Sequence, residues 1–294
     1  MNSRIATECV CCGSKNLQSS PALLLPFISH RVFNWAPVEI TDDWKLGPYG
    51  IKNGMAYAIC NSLLCGECFH LFLDIRFDDR DMNALYDKYR DEDYVDLRDH
   101  YEPGYKVKNE QLNSGYNYLL QVEQFLESHI NTTHPISVLD WGGDTGKNTP
   151  FYSSCKTLDI YDISDNPVLE KAKRVKKEEL VASHYDLVVC ANVLEHVSYP
   201  KESLHEIKSI MNKDTVLYIE LPYENLVRTF EEQGKLETIH KSKKHWHEHV
   251  NFFTDKSVEK MVSSSGFDIL ELRKMKITGE TSAYIFQVAC KKQK

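Results

Sequence analysis

The sequence predicts an α/β fold: a doubly wound, mostly parallel sheet with an antiparallel last strand, preceded by a small cysteine-rich module and a helical linker segment. Three observations predict it. Residues 136–294 alternate short apolar runs with amphipathic segments, the signature of βα units in a parallel sheet. The stretch VLDWGGDTG (138–146) ends an apolar run in an acid followed by three glycines. Cys9, Cys11, Cys12, Cys60, Cys65 and Cys68 crowd the first quarter of the chain, whereas only Cys155, Cys190 and Cys290 lie beyond it. The chain accordingly divides into 1–75, 76–134 and 135–294.

Composition limits the functions available. The 294 residues are 42% hydrophobic and 27% charged, as in an ordinary globular protein with a sizeable core. Lys and Arg number 35 against 43 Asp and Glu, a net charge of −8. That balance argues against a nucleic-acid binder that works by broad phosphate neutralisation, and leaves a local basic patch open. The most apolar early run, PALLLPFI (21–28), is too short to span a bilayer and is broken by Pro21 and Pro26. The opening MNSRIATECVCCGSKN has cysteines and polar residues where a secretion signal needs an apolar core, so a cytoplasmic setting is expected. In a reducing compartment the cysteines read as metal ligands or small buried side chains rather than disulfides.

In the first region, Cys9-x-x-Cys12 and Cys65-x-x-Cys68 can each present two thiolates, and four thiolates satisfy a tetrahedral, structural zinc ion. The gap between the pairs exceeds the usual spacing of roughly 15–20 residues, and HRVFNWAPVEITDDWKLGPYG (30–50) could be an insertion that fills it. Gly13 and Gly66 suit tight turns around a metal. Cys11 and Cys60 remain alternative ligands, and free thiols are the plain alternative. In the second region Met82, Leu85, Tyr86 and Tyr89 form a helical stripe, repeated by Tyr118, Leu119, Val122, Phe125 and Leu126, and both read as core packing. Tyr94 reads as a packing tyrosine and Arg98 as a solvated charge, with capping of the acceptor site from this segment as the alternative for both.

In the third region the expected strands are 136–140, 157–163, 185–191, 215–221, 267–277 and 282–291. The last two form an antiparallel pair across Thr278–Thr281. After the first of them, Gly142, Gly143 and Gly146 let the backbone turn tightly and approach a ligand. Asp162 ends the next strand about twenty residues beyond Asp140, where folds of this type place a carboxylate on ribose hydroxyls.

This constellation resembles the first two motifs of class I S-adenosylmethionine-dependent methyltransferases. YDLVVCANVLEHV (185–197) resembles that family's fourth strand and following loop, LYIELPY (217–223) its fifth strand, and WHEHVNFFTDKSVEKMVSSSGFDILEL (246–272) a C-terminal stretch. The resemblance implies that Asp140 organises the loop and the amino-acid part of the cofactor. Gly142 and Gly143 would line the methionine moiety, Gly146 would turn into the next helix, Asp162 would bind the ribose, Ile163 would pack on adenine, and Asn192 would lie on the methionine side. One departure is Asp144, which replaces the middle glycine of the usual loop. Over nearly the whole chain the order of parts is similar to the deoxysugar C-methyltransferases, with counterparts at CGECFHLF (65–72) and LYDKYRDEDY (85–94). That likeness implies a structural zinc and a carbohydrate or nucleotide-sugar acceptor.

Methyl transfer is an in-line displacement in which the enzyme mainly positions the acceptor, and an acceptor hydroxyl or carbon also needs a base. Candidates at the carboxyl ends of the later strands are His196, Tyr223, Glu224 and His249, with Glu195 and His247 nearby. The histidine tract with Glu248 is a weak pattern for a second metal, because it shows no obvious fourth ligand. The leading expectation is methylation of a small, carbohydrate-type molecule at carbon or oxygen, with no membrane or nucleic-acid partner. An RNA methyltransferase with a zinc module and a non-catalytic cofactor-binding scaffold are the alternatives.

Overall fold

The computed structural model describes residues 4–41, 54–113, 115, 117–182, 184–242, 244–277 and 283–293. Its main sheet uses β6 (Ser137–Trp141), β7 (Thr157–Tyr161), β8 (Ala172–Arg174), β9 (Leu187–Ala191), β10 (Val216–Pro222), β13 (Phe267–Ile277) and β14 (Ala283–Lys292) in the order β13-β14-β10-β9-β6-β7-β8. The pairs β9–β10, β6–β9, β6–β7 and β7–β8 are parallel, and β14 runs antiparallel to both β10 and β13. Only the last strand is reversed, as expected. The Thr278–Thr281 link and the 42–50 part of the insertion lie outside the described residues. Central strands β9 and β10 are buried nearly throughout, because both faces of a parallel sheet are covered. The order reverses between β6 and β9, which opens a crevice at their carboxyl ends.

One expectation fails here. Gly146 does not turn into a helix: residues 142–156 run as successive turns, with Gly146 N–H donating to Gly143 O at 2.8 Å and Cys155 N–H to Phe151 O at 2.8 Å. The run GKNTPFYSSC explains it, since it lacks an apolar stripe and contains Pro150, and Phe151 adopts a left-handed φ of 61°. Helices flank the later strands instead: α6 (Pro200–Ile210), α7 (Asn225–Glu232) and α8 (Asp255–Ser264).

A second sheet has the order β11-β1-β4-β5-β12, from β1 (Leu17–Leu24), β4 (Ile59–Cys65), β5 (Leu71–Leu73), β11 (Lys244–Trp246) and β12 (Asn251–Phe252). It therefore combines the amino-terminal region with residues 244–252. A two-stranded ribbon, β2 (Val38–Ile40) with β3 (Gly54–Ala56), and the helix α1 (Pro26–Phe33) lie within the amino-terminal region. The linker is helical, as expected: α2 (Asp79–Tyr86), α3 (Glu92–Tyr101), α4 (Tyr105–Asn113) and α5 (Leu119–Glu127). Asp78 and Asp81 form a capping box on α2, and Asp91 caps α3 by accepting from Tyr94 N–H at 2.8 Å. Among the described residues, no helix is long and apolar enough to cross a membrane.

Candidate functional site

A cleft of about 580 Å³ opens at the carboxyl ends of β6, β7 and β9. Trp141, Gly142, Asp162, Ile163 and Asn192 line it from the sheet, and Met82, Tyr86 and Tyr89 from the helical linker. The first half of the cleft is built by the glycine loop. Gly142 has φ 83°, and a Cβ there would come within 2.3 Å of the Val193 side chain. A Cβ on Gly143 would meet the Asp140 carboxyl at 2.5 Å. Both positions therefore need glycine for space, and Gly142 for its φ as well.

Asp140 is buried and accepts from the Thr149 hydroxyl at 2.5 Å. Burial pushes its carboxyl up to about 7, with the negative charges of Asp162, Glu220 and Asp144 adding to the shift against the Thr149 hydrogen bond. Asp162 accepts from the backbone N–H groups of Asp144 and Ser164 at 2.8 and 2.7 Å. Asp144, the departure from the glycine pattern, takes a left-handed φ of 50°. Its carboxylate accepts from Ser164 Oγ at 3.1 Å and Asn166 Nδ2 at 2.8 Å. It thus mimics the glycine conformation and ties the loop to residues 162–166. Asn192 is likewise left-handed, at φ 55°, and donates to Glu220 Oε1 at 3.0 Å. Ile163 is more than half exposed on the cleft wall.

The cleft reaches His196, which belongs to a cluster of histidines and carboxylates beside it. The cluster forms because β12 folds back over the turn after β9: Val250 and Asn251 N–H donate to Glu195 O, and the Asn251 side chain donates to Leu194 O at 3.0 Å and Val197 O at 2.7 Å. His196 and His249 then meet with ring centroids 4.7 Å apart, and His247 lies 4.6 Å from His249. His249 Nδ1 donates to Glu224 Oε1 at 2.6 Å. Burial opposes ionisation of Glu224, but that hydrogen bond and the neighbouring histidines hold its pKa below the usual value. Burial, with His249 and His247 alongside, pushes His196 down to about 3, so its imidazole is neutral. Burial drives Glu195 well up, and the charges of Glu224, Glu220 and Glu248 add to it.

Two residues that sequence reasoning gave other roles belong to this cluster. Tyr86, read as a core stripe, places its hydroxyl 2.9 Å from His196 Nδ1. Arg98, read as a solvated charge, is buried, ion-paired with Glu248 and 3.3 Å from Glu102, and its guanidinium lies 4.1 Å over the Tyr105 ring. Despite its burial, Glu248 is held well below the usual carboxylate range by His247 and Arg98. Helical periodicity marks a face but not its polar tip, so it shows neither contact, and for Arg98 only the alternative of capping the acceptor site pointed this way. Tyr223 moves the other way. Its hydroxyl donates to Glu231 at 2.6 Å and accepts from Lys274 at 3.3 Å, and its ring packs on Phe286. Alternation along the strand end sends it to the opposite face from Glu224, outside the cluster.

The two C-x-x-C pairs meet at one end of the second sheet, because Leu17 pairs with Cys65 in the β1–β4 register. One sulfur from each of Cys9, Cys12, Cys65 and Cys68 lies within 4.8 Å of the others. The Cys9–Cys68 and Cys12–Cys65 sulfurs are 3.6 and 3.5 Å apart. Ligands at about 2.3 Å around a tetrahedral zinc stand about 3.8 Å apart, so the donor set fits. Cys60 is on β4 opposite Ala22 and outside that group. The turn after the first pair uses Gly13 at φ 76°, but the matching position after the second is Phe69 at φ 57°, not Gly66. Gly66 instead leaves room for Asn16, whose carbonyl accepts its N–H at 2.8 Å.

A family model described as a methyltransferase domain matches residues 109–272, more than half of the chain. No curated protein sequence matches it. Among solved structures, the chain is similar to the 1,6-didemethyltoxoflavin-N1-methyltransferase of Burkholderia thailandensis, with a TM-score of 0.48 and 14% identity over 67% of this chain and 88% of that one. It is also similar to an S-adenosylmethionine-dependent methyltransferase of Methanosarcina mazei, with a TM-score of 0.44 and 14% identity over 57% of this chain and 97% of that one. The chain belongs to the methyltransferase-domain family. It is an enzyme, a class I S-adenosylmethionine-dependent methyltransferase.

Proposed function

We propose that this enzyme methylates a small carbohydrate-type acceptor, a sugar or nucleotide-sugar, at carbon or oxygen. The observation that carries the reading is the continuity of one cleft from the Asp162 end to His196, with tyrosines, Asn83 and Asp79 of the linker along its wall. Hydrogen-bonding side chains of this kind suit a hydroxyl-rich molecule. The order of cysteine module, helical linker and methyltransferase core supports the same subgroup.

On this reading the cofactor's methionine end lies on Gly142, Gly143 and Asn192, with Asp140 behind them. Asp162 takes the ribose hydroxyls and Ile163 the adenine. Cys9, Cys12, Cys65 and Cys68 hold a structural zinc ion, because four thiolates leave no open position for a reactant. The three-part division at 75/76 and 134/135 then follows zinc module, cleft wall and cofactor fold along the chain, with residues 244–252 returning to the sheet of the first part. The acceptor enters beside β9 and β10, where the cluster of Glu195, His196, Glu224 and His249 activates it. His249→Asn should lower turnover by about two to four orders of magnitude and leave cofactor binding nearly intact. The test is methyl transfer from labelled cofactor into nucleotide-sugar extracts and, in parallel, into RNA retained on filters. Label in RNA and none in sugars would overturn the carbohydrate reading.

A further inference from the structure

Glu195 is 1% exposed, and neither of its carboxyl oxygens has a hydrogen-bond partner among the described residues. A buried acid without a partner is costly, and a ligand or ion in the space it faces would offset that cost. What it faces is two imidazoles. His196 Nδ1 lies 3.1 Å from the carbonyl oxygen of Glu248. The Tyr86 hydroxyl lies 2.9 Å from the same nitrogen, and the tautomer with hydrogen on Nδ1 serves both oxygens and leaves Nε2 as a lone pair 3.8 Å from Glu195 Oε1. His249 Nδ1 donates to the Glu224 carboxylate at 2.6 Å, so Nε2 is the ring nitrogen left for another partner. One ligand atom each from Glu195, His196 and His249 falls within 4.8 Å of the others.

Three ligand atoms thus converge on one space. The outer partners are a backbone carbonyl and a tyrosine hydroxyl for one imidazole and a carboxylate for the other, the kind of arrangement that orients metal-binding histidines. We propose that Glu195, His196 and His249 bind a divalent transition-metal ion as a two-histidine, one-carboxylate site. Nitrogen and carboxylate donors suit zinc, iron, cobalt or manganese, and separate this site from the four-thiolate cluster. Ligands at about 2.1 Å around such an ion stand about 3.4 Å apart, so the pocket closes by little more than an ångström. Because His196 also lines the cleft, the ion has an open side toward the acceptor. This deepens the proposed function and rests on it: the ion would polarise the acceptor oxygen at which the cluster acts.

The test equilibrates wild-type protein in turn with Zn²⁺, Mn²⁺, Co²⁺ and, without oxygen, Fe²⁺, desalts it, and counts metal per chain. The expected result is one equivalent beyond the thiolate-bound metal with at least one of these ions. Glu195→Gln and His249→Gln should each lose that equivalent, while retaining the thiolate-bound metal and binding S-adenosylhomocysteine as wild type does. No additional equivalent with any of the four ions overturns the proposal. So does an additional equivalent that survives in both variants. Undiminished methyl transfer after a chelator has removed the second equivalent overturns the role of the ion but leaves the methyl-transfer reading standing. Wild-type protein that does not bind S-adenosylhomocysteine would defeat that reading instead, independently of the metal count.

Discussion

Asp162 uses its carboxylate twice within the fold, holding Asp144 and Ser164 N–H groups, so its substitution bears on both loop shape and ligand contact. Asp162→Ala should weaken cofactor binding by about 1.5–3 kcal/mol, roughly tenfold or more, as read by calorimetry. Unchanged affinity would count decisively against the ribose role. Asp140 makes a second prediction through its pKa of about 7 in the folded protein. A carboxyl raised above its unfolded value contributes stability at low pH that is lost as pH climbs from about 4 through 7. The ligand-free Asp140→Asn variant should therefore melt above wild type at pH 8, and the difference should vanish near pH 4. The cofactor's cationic end favours the ionised carboxylate, so wild-type affinity should rise as pH passes through about 7. Calorimetry from pH 6 to 8.5 showing a flat profile in wild type would remove Asp140 from the binding site.

At the scale of elements, the two cysteine turns are joined by the β1–β4 pairing and then docked on the later part of the chain. Thr254, the cap of α8, donates its hydroxyl to Cys68 O at 2.9 Å, and Ser264 Oγ donates to Cys11 O at 3.3 Å. Metal at the four sulfurs would thus brace β1, β4 and α8 together. Freshly purified protein should carry zinc at these thiolates, and the Cys65→Ser, Cys68→Ser double variant should lose it and melt well below wild type. Elemental analysis that finds full zinc content in the double variant would refute this ligand set. The same scale explains the missing helix after β6: a polar run with Pro150 cannot bury a face, so the loop is held by Asp144, Asp162 and Asn166 instead of by helix packing.

At the scale of the whole molecule, the second sheet aims the cluster. Asn251 is fully buried and joins both halves: its Nδ2 donates to Leu194 O and Val197 O, and its Oδ1 accepts from Arg76 Nη1 at 3.4 Å. Arg76, also buried, donates to Ser198 O at 2.8 Å. Asn251→Ala would leave carbonyls and a guanidinium partly unpaired and should cost about 2–4 kcal/mol. It should also lower turnover more than cofactor affinity, because the loop it releases carries Glu195 and His196 and not the glycine turn. Chemical denaturation and the two kinetic constants check this together. A variant that lost cofactor affinity and turnover in equal measure would show that Asn251 acts on the whole fold.

The sequence by itself determined the parallel sheet and its reversed last strand, because central strands must be apolar throughout and βα alternation leaves few topologies. It also determined the place of the glycine turn, whose spacing is local, and the two C-x-x-C pairs as one possible ligand set. Only the tertiary structure decided which polar tips meet. His196, His249, Glu224 and Tyr86 come from four separate segments, and nothing local in their sequence marks the closing of β11 and β12 onto β1 and β5 that brings them together. The same closure brought Glu248 onto the buried Arg98 and set His249 beside Glu195. Such outcomes depend on long-range packing, in which a side chain's role is set by neighbours distant in sequence, up to 150 residues for Arg98 and Glu248, rather than by its own periodicity.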